Sequence, residues 1–145
     1  MNQLFFLIGL AIAGGIAVTL QAQFMGLMDE TIGTLESIFI TYGSGSLLIG
    51  LVMLYLRGGN LAAWQQVPRY ALLAGVVGLV IVGTIGYTVP RLGLVLSLTL
   101  IVAVQFTVAA VLDHFGLFGA TLRPMTLSRL LGMLIVFAGV WLLVR

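Results

Sequence analysis

The chain has no cysteine and no lysine, one histidine, and only six basic and four acidic residues among 145. Each shortage removes a class of chemistry. Without cysteine there is no disulfide, no thiolate metal site and no cysteine nucleophile. The basic residues are all arginines, at 57, 69, 91, 123, 129 and 145, and they are too scattered to form a patch for nucleic acid. Charge as a whole is 7% of the chain, against about one quarter in ordinary soluble domains.

What fills the space is apolar. Hydrophobic residues make up 61% of the chain, and the mean hydropathy is +1.25. The few charges bound long charge-free stretches: Met1 to Met28, Ser37 to Leu56, Tyr70 to Pro90, Leu92 to Leu112 and Leu130 to Val144. A helix of about twenty residues crosses roughly 30 Å of hydrocarbon. The last stretch reaches that length if its helix begins near Met125 and Arg129 extends its guanidinium to the interface. The short alternating segments of a membrane β-barrel are missing. The sequence therefore predicts an all-α integral membrane protein, one domain over residues 1–145, with five spans near 4–27, 33–56, 70–89, 92–113 and 125–144.

The first stretch carries no basic residue at its start and runs longer than the apolar core of a signal peptide, so it is expected to remain as helix one. Basic residues favour the cytoplasmic side. Arg57, Arg69, Arg123 and Arg129 share the face of the N-terminus, while Arg91, Arg145, Asp29 and Glu30 fall on the other. The bias favours a cytoplasmic N-terminus but is small, and dual insertion stays open. Trp64, Tyr55 and Tyr70 near one interface, with Trp141 and Tyr87 near the other, read as an aromatic belt.

Nineteen glycines point to helices in close contact. Gly75, Gly78 and Gly86 fall on one face of helix three, and Gly132 and Gly139 lie two turns apart on helix five. Both read as packing seams, within the chain or between copies. Polar residues inside the spans matter more, because an unpaired amide in hydrocarbon costs roughly several kcal/mol. Gln105 is the deepest amide, in helix four. Ser37, Thr41 and Ser44 form a stripe on helix two with Tyr42 beside it, and Gln21 and Gln23 are placed at the end of helix one. Cavity lining and simple interhelical bonding are both open for these.

Glu36 has two readings. If Thr34 caps helix two, Glu36 sits in the first turn, where the free amides favour a carboxylate; otherwise it is a solute or proton site. Asp113, at the end of helix four, opposes the helix dipole and needs Arg123 or Arg129 beside it. His114 next to it reads as a capping or interfacial histidine, and neither a metal nor a cofactor is expected. The four acids are divided between two membrane faces, so no nucleophile, base and orienting partner come together for an enzyme.

The stretch from Asp113 and His114 through Phe115, Gly116, Leu117, Phe118 and Gly119, followed by Pro124, Arg129, Gly132 and Gly139, resembles the C-terminal signature of the YdcZ-like half-size branch of the drug/metabolite transporter superfamily. Gly14, Gly15 and Gln21 are similar to the glycine and glutamine of that family's first helix, Gly43 to its second-helix glycine, and Gln105 to the glutamine before the aspartate–histidine motif. Two positions depart: Met25 stands where asparagine is frequent, and Val104 where glycine often precedes the glutamine. The resemblance implies one repeat unit of a ten-helix, inverted-repeat architecture, and hence assembly of two copies, most simply antiparallel, or pairing with another half-size protein. It implies a dimeric secondary transporter, in the export sense, of small organic metabolites or drug-like solutes, in contact with membrane lipid. Gln105, Thr41, Tyr42, Ser44, Gln21 and Glu36 are the candidate solute-facing residues, and Asp113, His114, Gly116 and Gly119 a structural motif. The competing reading is a non-transporting membrane subunit whose polar residues only bind helices together.

Overall fold

The computed structural model describes residues 2–144. Its elements are α1 (Asn2–Ile32), α2 (Thr34–Tyr55), two short 3₁₀ turns at Leu61–Gln66 and Arg69–Leu73, α3 (Ala74–Leu92), α4 (Leu94–Phe115), a 3₁₀ turn at Leu117–Gly119 and α5 (Leu127–Val144). No strand occurs among the described residues. Five helices there are long and apolar enough to cross a membrane, which makes the chain an all-α integral membrane protein. It divides into two compact units, one up to Arg91 and one from Leu92 onward.

The first unit is built on a one-residue turn. Gly33 joins α1 to α2 at φ 97° and ψ 165°, a region that essentially only glycine enters. Its amide still donates to the Asp29 carbonyl at 3.1 Å, and its own carbonyl accepts from the Ser37 amide at 3.1 Å, so the glycine's own two backbone groups are both satisfied. Near the turn the buried Ser37 hydroxyl donates to the Met25 carbonyl at 3.4 Å. Farther away, Ala17 and Gln21 share a groove with Thr41 and Ser44, so the two helices run in opposite directions.

Two expected boundaries change here. Helix one does not end near Gln21 and Gln23 but continues through Asp29 and Glu30 to Ile32. A carboxylate is tolerated inside the helix because Asp29 is neutralised, as described below. Thr34 is not the cap of α2: Gly33 occupies that position without a side-chain bond, and the Thr34 hydroxyl instead donates to the Asp29 carboxylate. Glu36 remains in the first turn.

Glycines set how α3 packs on α1 and α2. The Tyr42 hydroxyl occupies the space where a Gly78 side chain would stand. Added Cβ atoms would meet Ile38 Cδ1 at 3.0 Å from Gly83 and Met25 Cε at 3.2 Å from Gly86, and across the interface one at Gly26 would meet Val89 Cγ1 at 3.0 Å. Ala22, Met25, Ser37, Ile85, Gly86 and Val89 are buried at this junction. Gly75 has open space around it.

In the second unit α4 ends on Gly116 in the left-handed conformation, φ 61°. The loop then folds back: the Arg123 amide donates to the Asp113 carbonyl at 2.8 Å, and the Met125 amide to His114 Nδ1 at 3.0 Å. α5 begins at Leu127 and not Met125, because Thr126 caps it; its hydroxyl accepts from the Arg129 amide at 3.4 Å and its carbonyl from the Leu130 amide at 3.0 Å.

Candidate solute groove

Helical periodicity separates the polar residues of α2 onto two sides. Thr41 and Ser44, three residues apart, lie nearly one above the other, whereas Tyr42 is about 100° around the axis from Thr41. Thr41 and Ser44 accordingly face α1, where they line a groove of about 410 Å³ with Gln21, Phe24, Met25 and Met28 among others. Tyr42 faces α3 and lines a second groove of about 330 Å³ with Leu35, Ile38 and Leu79.

Because α1 continues to Ile32, Gln21 lies about 12 Å along the axis from Asp29. That puts its amide well inside the span. Ser44 donates to the Thr41 carbonyl at 3.2 Å and keeps its lone pairs for another donor.

The other candidates lie elsewhere. Glu36 belongs to a separate surface with Ile32, Leu35, Phe39 and Ile40, and its carboxylate folds back over Gly33. Gln105, in the second unit, is exposed on α4. Gly132 and Gly139 are exposed on α5, with no atom of their own unit within 4 Å of where a Cβ would stand. Asp113 is 3.9 Å from the Arg129 guanidinium, which also donates to the Arg123 carbonyl at 3.2 Å. His114, with Nδ1 held by the Met125 amide, packs edge-on against Phe115. Gly119, at φ 83°, closes the turn that follows.

Sequence reasoning missed one cluster. The Asp29 side chain is 3% exposed and pairs with Arg91 at 2.8 Å; the same guanidinium lies 3.6 Å over the Tyr87 ring and donates to the Tyr87 carbonyl at 2.6 Å. This joins α1 to α3 at the Gly33 end of the first unit. Opposite charges on one membrane face were the available signal, and the arginine–tyrosine spacing of four residues was a second.

Over residues 6–142 the chain matches the family described as "Putative inner membrane exporter, YdcZ". Comparison with curated proteins and with solved structures gave no match. With five helices of spanning length and a match along nearly its whole sequence, the chain is a multi-pass inner membrane protein that belongs to the YdcZ exporter family.

Proposed function

We propose that this protein exports small organic metabolites or drug-like solutes by alternating access, working as a dimer of oppositely inserted copies. The observation that carries the reading is the meeting of Gln21, Thr41 and Ser44 in one groove between α1 and α2, at a depth where polar groups are costly. Helix glue would require these groups to satisfy one another, yet among the described residues neither the Gln21 amide nor the Thr41 hydroxyl has a hydrogen-bond partner.

Gln105 is the corresponding candidate on α4, its amide exposed along a helix with no charge before Asp113. Tyr42 acts by seating α2 on Gly78 of α3, and Glu36 is the proposed carboxylate for proton coupling. The open glycine face of α5 offers a second copy a close approach at Gly132 and Gly139. A single five-helix unit supplies half of a two-repeat pathway, and an odd number of spans makes an inverted pair the simplest completion.

The test is an unbiased efflux comparison: liposomes loaded with a bacterial metabolite extract, with and without the purified protein. Faster loss of one or more small solutes from the protein-containing vesicles supports the reading, whereas identical profiles reject transport in favour of a non-transporting subunit.

A further inference from the structure

Most threonines inside the helices follow a pattern that Thr41, in the groove, and Thr84, on α3, both break. Thr19, Thr31, Thr88, Thr99 and Thr107 each turn the hydroxyl onto the carbonyl four residues earlier, at 3.0, 2.9, 2.7, 2.7 and 3.1 Å respectively. That is how a hydroxyl in an apolar helix ordinarily satisfies itself. Thr41 has the Ser37 carbonyl at the same spacing and makes no such bond. Thr41 lines the groove between α1 and α2 with its hydroxyl unspent, together with Gln21, whose amide has no partner among the described residues, and Ser44.

The groove thus offers donors and acceptors and no charge. Asp29, the nearest acid along α1, is closed off by Thr34 and Arg91, and Glu36 faces a different surface. The remaining walls are apolar and partly soft, with Phe24, Met25, Met28 and Leu20. A solute carrying a full charge would find no counter-charge here and would lose its hydration, whereas a neutral amide or hydroxyl would exchange water for Gln21 and Thr41.

From these contacts we infer that the groove is a binding site for uncharged, hydrogen-bonding solutes with a flat apolar body, a class that includes aromatic amides and alcohols. This rests on the reading of the α1–α2 groove as the solute site. The groove volume of about 410 Å³ falls within the range of small-molecule sites.

The absence of native cysteine allows a direct test. A Leu20→Cys variant of the full chain, in phosphatidylcholine nanodiscs, is labelled with a maleimide in the presence of 2-naphthamide, 2-naphthoate or trimethyl(2-naphthyl)ammonium. Leu143→Cys, on α5, controls for probe dissolved in lipid. The inference expects protection of Leu20→Cys by the amide alone, weakened about threefold or more when Gln21→Leu or Thr41→Val is added, with melting temperatures unchanged. Stronger protection by the carboxylate or the ammonium overturns the uncharged class while keeping the groove as a solute site. No protection by any of the three overturns both readings; a Leu20→Cys that reacts only after the oligomer is dissociated does the same, because a second copy then fills the groove.

Discussion

The carboxylate of Asp29 on α1 and the guanidinium of Arg91 on α3 meet at 2.8 Å across 62 residues of sequence. The aspartate is almost fully enclosed while the arginine is half-exposed, so the pair is asymmetric. Removing the arginine strands a charge from which water is excluded, whereas removing the aspartate releases a cation that can reach water. Arg91→Gln should therefore lower the melting temperature in detergent more than Asp29→Asn does. The double variant should melt above the value expected from adding the two single effects. Glu30→Gln, exposed one residue away, should change little. Additive losses at Asp29 and Arg91 would mean that the pair carries no coupling.

Glycines on α3 are distinguished by what faces them. Gly78→Val must displace Tyr42 and Gly86→Val must displace Met25, and overpacking of this kind costs about 1–3 kcal/mol. Gly75→Ala meets open space and replaces a poor helix former, so it should be neutral or stabilising. Thermal melting of the three variants checks the order.

The Asp113 and His114 region reads as a joint between α4 and α5, tied through backbone amides and Arg129. Asp113→Asn should mainly reduce expression and thermal stability. Glu36→Gln, on a surface with no arginine, should instead remove the pH dependence of flux. The reverse pattern in a pH series would transfer the coupling role to the aspartate–histidine motif.

Opposed insertion has a topological signature. A cysteine placed at the N-terminus should be labelled from both sides of the membrane in intact cells and in inverted vesicles, and Gly132→Cys or Gly139→Cys should cross-link two copies. Labelling from one side, with purification as a monomer or a parallel dimer, would remove the antiparallel arrangement.

Five helices could be read directly from the charge-free runs, because hydrocarbon thickness fixes their length and the sparse charges mark their ends. The relation of Thr41 to Ser44 could be read as well, since it needs only helical periodicity. Asp29 was harder: the same acid that marks an interface in sequence sits inside α1, because a partner 62 residues away neutralises it. That Gly33 and not Thr34 starts α2 has a related reason. A glycine able to adopt φ 97° makes the whole turn alone, and this freed Thr34 to bond Asp29. Tyr42 lay beside the polar stripe in sequence, yet about 100° of helical rotation turned it to α3, against Gly78. Which hydroxyls are spent on their own backbone, and which are free, was visible only in the folded helices.

That last distinction gives the most direct measurement. Thr19→Val and Thr41→Val make the same nearly isosteric change on neighbouring helices, but the Thr19 hydroxyl is spent on the Gly15 carbonyl and the Thr41 hydroxyl is not. Efflux from loaded liposomes should fall by about tenfold or more with Thr41→Val and remain near the parent value with Thr19→Val, both proteins melting at similar temperatures. Equal flux in the two variants would contradict a solute path along the α1–α2 groove.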